Sequence, residues 1–275
     1  MTVHSDSIIA LAKWLETPAG HYALMWEQAQ FDSVVADLFG YNAVQVGLLQ
    51  LPALRNNRMP FIFAVDEPIS EPSPVDNEFP AEGVEKGVVV LTRFEELPFA
   101  AQSLDLLVLP HALEFADDPH QVLREVERVL IPEGHLVITG FNPVSLWGAR
   151  QVLGRALGAP FLPVAGQFLH LPRLKDWLKL LGFEVNRGRF GCYAPPAHSE
   201  KWLSRFGFME RAGDRWWPVC GAVYMVSAVK RVTGMRLIGA IKKERRVAPA
   251  SIPATAQRTG ANSRHSTGKL DVGDS

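Results

Sequence analysis

The sequence predicts an α/β protein, a three-layer sandwich around a mostly parallel sheet that closes with an antiparallel strand. Three observations predict it. Residues 104–139 hold an apolar run, a capped helix and a second apolar run in close succession, the pattern of a right-handed parallel βαβ crossover. Short apolar runs alternate with helical periodicities along most of the chain. Two late apolar runs, opening at Phe183 and at Ala222, read as a closing strand pair.

Taken in order, residues 8–40 show helical spacing through Ile8, Leu11 and Leu15, then Tyr22, Met25, Trp26, Ala29 and Val34. Thr17-Pro18 and Gly20 break this run into two helices, expected as an N-terminal cover. Tyr41 to Gly47, Phe61 to Asp66 and Val88 to Leu91 read as the first three strands. Between the first two, Pro52 and Pro60 leave room for only a short helix, from Leu51 to Arg58. Four prolines in Glu67 to Glu82 make that stretch a loop.

Leu104 to Leu109 is almost continuously apolar, as in a parallel strand buried on both faces. Asp118-Pro119 is a helix start, a side-chain cap followed by a proline whose missing N–H is not needed there. Val122, Leu123, Val126, Val129 and Leu130 form one face, with Arg124, Glu125, Glu127 and Arg128 mostly on the other. Pro132 and Gly134 stop this helix, and Leu136 to Thr139 opens the next strand. Leu174, Trp177, Leu178 and Leu181 give a further amphipathic helix ended by Gly182, with a strand from Phe183 to Val185 after it. Ala222 to Val229 is the final strand. Residues 230–246 read as a short basic helix, and beyond about residue 247 bulky apolar residues almost vanish, so the tail is expected to be disordered.

The 275 residues are 47% hydrophobic and 21% charged, ordinary for a soluble globular protein. The expected organisation is a helical cover over 1–40, a main domain over 41–230 and a basic segment with a tail over 231–275. A net charge of −1 argues against wholesale nucleic-acid binding, although Lys230 to the end carries 10 Lys/Arg against 3 Asp/Glu. That basic segment is a secondary candidate for contact with nucleic acid or an acidic surface. Cys192 and Cys220 have neither metal-site nor redox spacing, so no metal is expected. No run approaches the roughly 18 apolar residues of a membrane span, and a cytoplasmic setting is expected.

A family resemblance rests on Leu97-Pro98-Phe99, Ser103-Leu104-Asp105-Leu106, His111-Ala112-Leu113-Glu114, Asp118-Pro119, Ile131-Pro132-Glu133-Gly134 and Asn142-Pro143. In that order and spacing they resemble class I S-adenosylmethionine (SAM) dependent methyltransferases of the type 11 group. The resemblance spans about 41–230 and is stronger after residue 95. It implies a Rossmann-like fold, SAM as cofactor and methyl transfer to an acceptor, expected to be a small molecule. The alternative is a methyltransferase-like module that has lost catalysis and serves binding or regulation.

The resemblance also implies where the cofactor lies. Family members end the first strand in a DxGxGxG-like loop; here Gln45-Val46-Gly47-Leu48-Leu49-Gln50 keeps one glycine and lacks the acid. The larger side chains restrict positive φ angles there. Asp66 resembles the carboxylate that holds the ribose hydroxyls. Arg93 aligns with the acid that meets the adenine amino group, and Glu95 is the candidate to replace it. The implied cofactor contacts are therefore Gly47, Asp66, Glu95, Leu97, Pro110 and Glu114. His111 is the candidate base for an acceptor that must lose a proton. Segments 141–170 and 190–218, with Trp147, Trp202, Trp216 and Trp217, are candidates to shape the acceptor site, as is Trp177.

Overall fold

In the computed structural model of the chain, seven strands hydrogen-bond into one sheet in the order β3-β2-β1-β4-β5-β7-β6. The strands are β1 (Asn42–Val46), β2 (Phe61–Asp66), β3 (Val88–Leu91), β4 (Leu104–Pro110), β5 (Leu130–Phe141), β6 (Phe183–Gly191) and β7 (Val223–Lys230). The first five pair in parallel, and β7 runs antiparallel to both its neighbours, β5 and β6. The structure describes residues 10–66, 88–162, 168–196 and 199–231, all within the compact unit Met1–Gly234. The expected Glu67–Glu82 loop lies outside these residues, as do the basic segment beyond Arg231 and the tail.

Among the described residues the sheet is accompanied by α1 (Pro18–Val35), α2 (Ala112–Phe115), α3 (Pro119–Val129), α4 (Leu146–Ala156), α5 (Leu171–Leu180), α6 (Glu200–Arg205) and α7 (Phe208–Trp216). Residues 10–15 are also helical. The break before α1 falls at Thr17, whose hydroxyl accepts from Gly20 N at 3.2 Å, with Pro18 opening the helix. Gly20 is not part of the break but sits inside α1. A Cβ there would lie 2.2 Å from Trp14 O, so glycine permits the two helices to press together.

Each face of the sheet is covered. On one side Trp14, Phe31 and Val35 pack with Ala43, Val108, Val137, Phe141 and Trp147. On the other, Val122 and Val126 of α3 and Leu174 and Leu178 of α5 pack with Val44, Leu107, Ile138 and Val226. Each of the buried Val, Leu, Ile and Phe side chains among these contributes about 1.5–3 kcal/mol relative to exposure. The α3 start follows the sequence: Asp118 Oδ1 accepts from His120 N and Gln121 N at 2.9 and 3.1 Å. Its end is held by Lys230, whose ammonium donates to Leu130 O at 3.0 Å and faces the Glu127 carboxylate at 2.8 Å.

Two local expectations change. Pro132 and Gly134 do not separate helix from strand, because β5 begins at Leu130, directly after α3. Leu104 pairs with Leu130 and Leu106 with His135, so residues 131–134 bulge out of the ladder between them. The second change is at residues 48–60, where turns replace the expected helix from Leu51 to Arg58. The Gln45 side chain supplies the reason. Its Nε2 donates to Leu48 O and Leu51 O at 3.0 and 2.8 Å, and its Oε1 accepts from Ala53 N at 3.1 Å. Carbonyls tied to a side chain behind them are not available for a helical ladder.

Gln45 is 2% exposed, so these backbone groups have no water to turn to. Gln45→Leu is expected to cost about 2–4 kcal/mol, since each buried polar group left unpaired costs roughly 1–3 kcal/mol. Urea unfolding checks this; a midpoint unchanged from wild type contradicts the role of Gln45 as the loop's organiser.

Candidate functional site

The C-terminal ends of β1, β2 and β4 stand side by side, the place where ligands bind in open α/β sheets. The turn after β1 is left-handed at two residues in succession, Gly47 at φ +78° and Leu48 at φ +45°. Leu48 thus adopts the backbone that its side chain was expected to resist. Its burial at 5% exposure and the Gln45 bonds around it offset the roughly 1 kcal/mol such strain costs. A Cβ on Gly47 would meet Phe94 at 3.3 Å and Ala112 at 3.5 Å, so the turn is also closely packed.

Gly47 N donates to Val65 O at 2.8 Å, which sets this turn against the end of β2, where Asp66 lies half-buried. Thr92 N donates to Asp66 O at 2.9 Å and brings the chain after β3 to the same edge. Glu95 follows at 7% exposure. One of its oxygens accepts from Asp118 N at 3.4 Å; the other, Oε2, is buried with no hydrogen-bond partner and has Arg93 Nε 3.6 Å away. A buried carboxylate oxygen lacking a donor is set to accept one. The Leu97 side chain, by contrast, belongs to the core at 4% exposure. Leu97 O and Phe99 O both accept from Arg128 at 2.9 Å, which pins that segment on α3.

Past β4, Pro110 is buried beside Thr139 in the ladder, and His111 turns the chain at φ +54° into α2. His111 is 2% exposed and Glu114 3%. The imidazole Nδ1–H donates to Glu114 Oε2 at 2.7 Å, and Nε2–H donates to Glu27 Oε1 of α1 at 2.6 Å. The other Glu114 oxygen accepts from Phe141 N. Burial alone would lower the His111 pKa, but the Glu27 and Glu114 carboxylates outweigh it and raise it from 6.5 to about 10. Burial raises that of Glu114, against the pull of His111. The result is an imidazolium clasped by two carboxylates inside the protein.

This corrects the expectation for His111. With both ring nitrogens committed and no exposure, it has no lone pair to offer an acceptor. Glu114 is equally committed at both oxygens. Gly47, Asp66 and Glu95 are brought together at the strand ends; His111 and Glu114 stand behind them and tie α1 to the end of β4. Glu27 and Gln45 are the residues the sequence reading missed. The tryptophans divide, Trp147 being buried at 1% exposure while Trp202, Trp216 and Trp217 are exposed.

Known proteins share the fold that carries these residues. A methyltransferase-domain family model matches residues 73–138, which include β3, β4 and α3. The chain has the class I methyltransferase fold, and the match to the methyltransferase-domain model covers about a quarter of its length. The Escherichia coli K12 protein YafS is 37% identical to the methyltransferase-fold chain over 145 residues, 51% of this chain and 54% of YafS. A malonyl-[acyl-carrier protein] O-methyltransferase of Laribacter hongkongensis is 33% identical over 95 residues, 34% of this chain and 31% of that protein. The chain thus spans about half or less of the length of these curated relatives. Among solved structures, a chain of a Haloferax volcanii complex that contains the Trm112 methyltransferase activator superposes with a TM-score of 0.56. It is 15% identical, and the match covers 85% of this chain and 99% of that one, a likeness of fold. No helix among the described residues is long and apolar enough to cross a membrane.

Proposed function

We propose that the protein is a SAM-dependent methyltransferase acting on a small-molecule acceptor in the cytoplasm. The observation that carries this reading is the adjacency of the left-handed Gly47 turn and Asp66 on neighbouring strand ends of the class I fold. Bound there, SAM supplies a sulfonium-borne methyl for in-line transfer to an O, N, S or C nucleophile. The matches to methyltransferases support the activity, and the free thiols of Cys192 and Cys220 suit a reducing compartment.

The residues present fit that cofactor. Gly47, lacking a Cβ, lets backbone N–H groups approach the methionine part. The Asp66 carboxylate accepts from the ribose hydroxyls. Glu95 Oε2, buried and without a donor, accepts from the adenine amino group in place of the acid that Arg93 replaces. Pro110 contributes backbone at the end of β4, and Leu97, its side chain in the core and its carbonyl held by Arg128, supports the segment that carries Glu95. Glu114 and His111 are positioning residues that hold the β4 turn in place. The protein's contribution to rate is then alignment of acceptor and methyl group.

The test uses S-adenosylhomocysteine, the demethylated product. At 100 times its dissociation constant it should stabilise the protein by about 2.7 kcal/mol, read as a rise in melting temperature. Glu95→Ala should weaken that ligand by about 1.5–3 kcal/mol, the range for a hydrogen bond to a charged group. A wild-type protein with no shift contradicts the function. A Glu95→Ala variant with the full shift removes Glu95 from the site.

A further inference from the structure

We propose that the end of the molecule built from residues 142–157 and 199–219 docks on an anionic membrane surface. Of the 17 large apolar side chains exposed among the described residues, ten lie in these two segments. On α4, Val152, Leu153 and the following Leu157 are 61–73% exposed, while Trp147, Gly148 and Gln151 are buried. On the other segment Trp202, Phe208, Trp216 and Trp217 are 52–71% exposed. Both segments lie where β5 ends and β7 begins, and they are joined. Asn142 Nδ2 donates to Val219 O and Gly221 O at 2.8 and 2.9 Å, and Arg150 donates to Pro196 O at 2.5 Å. Large apolar groups gathered at one end of a chain mark an interaction surface.

Charge selects the partner. From Gly134 to Lys175 the sequence has no Asp or Glu, and it carries Arg150, Arg155, Arg173 and Lys175. The guanidiniums of Arg150 and Arg155 lie over the rings of Phe161 and Phe168, at 4.7 and 5.9 Å from the centroids. The second segment has Lys201, Arg205, Arg211 and Arg215 against Glu200, Glu210 and Asp214. Glu210 is turned inward, accepting from Tyr193 N at 2.9 Å and from the Tyr22 hydroxyl. Exposed tryptophans and leucines interleaved with arginines suit the headgroup region, where the rings lie at the boundary and the cations meet anionic lipid. An apolar protein partner would not require the cations, nor the long interval without acids. The inference holds whether or not the chain transfers methyl groups.

The test is sedimentation of the full-length protein with vesicles of phosphatidylcholine alone, and with equal parts phosphatidylcholine and phosphatidylglycerol. Binding to the mixed vesicles, weakened by salt, and a blue shift of tryptophan emission are expected. Leu153→Asp with Trp217→Asp in one chain should cut the bound fraction at least about tenfold, with the melting temperature unchanged. Arg150→Glu with Arg155→Glu should do the same by reversing charge, with the melting temperature followed alongside because both guanidiniums also lie over aromatic rings. Undiminished binding by both double variants overturns the proposal and places the contact elsewhere, the basic segment beyond Arg231 included. Absence of vesicle binding also overturns it, and concentration-dependent self-association lost in the same variants would then assign the face to a second copy of the chain.

Discussion

Replacing His111 with asparagine is expected to destabilise the folded chain by about 3–5 kcal/mol, on the order of 10 °C in melting temperature. Asparagine tolerates the left-handed backbone at φ +54°, so the loss reports the charge cluster and not the turn. Without the imidazolium, Glu27 and Glu114 face one another across a fully buried space with nothing to balance them. Adding Glu27→Gln to the variant should therefore restore part of the stability, a coupling that a double-mutant cycle measures. Additive losses would contradict the cluster.

The same cluster has a pH signature. The folded pKa of His111, about 10, lies above its ordinary value of 6.5. The protonated form therefore favours folding, and its contribution is complete below about pH 6.5. It is lost progressively as pH rises from 6.5 to about 10. Glu114, also raised, acts in the same direction. Wild-type protein should lose stability over that interval, and in His111→Asn the loss should move to lower pH, where the two unbalanced carboxylates ionise. Equal slopes in the two proteins would mean that another group sets the alkaline limit.

Asp66→Ala is expected to weaken SAM binding by about 1.5–3 kcal/mol, roughly ten- to more than a hundredfold, through loss of charge-assisted hydrogen bonds to the ribose. The change should fall on affinity more than on the melting temperature of the unliganded protein, because Asp66 lies half-buried at the last position of β2. Asp66→Asn keeps the shape and tests the charge. Unchanged affinity in both variants would take Asp66 out of the site.

Much of the fold was legible because its signals are local. Phe61–Asp66 and Val88–Leu91 carry their strand boundaries in their own composition, and Asp118-Pro119 writes the α3 start into two residues. What escaped depends on distant partners. Gln45 looked like the loss of an acid, yet its side chain rebuilds the turn that missing glycines would otherwise have shaped. No spacing rule tells that a buried amide six to eight residues upstream will replace a crossover helix. His111 and Glu27 meet across 84 residues, so the sequence around His111 alone could not distinguish a base from a buried cation. One signal was present: Ala19, Ala23, Glu27, Phe31 and Val35 recur at helical spacing as a single buried stripe on α1, and Glu27 is its only charge. A charge on an apolar stripe calls for a buried partner.

The central claim is that this fold, with its single retained glycine, still accepts SAM. Calorimetric titration of the purified full-length protein with SAM and with S-adenosylhomocysteine tests it most directly. Saturable binding of one molecule of each, weakened by Asp66→Ala, is the predicted result. No heat with either ligand, from protein that unfolds cooperatively and is therefore folded, would contradict it and leave a methyltransferase fold without its cofactor.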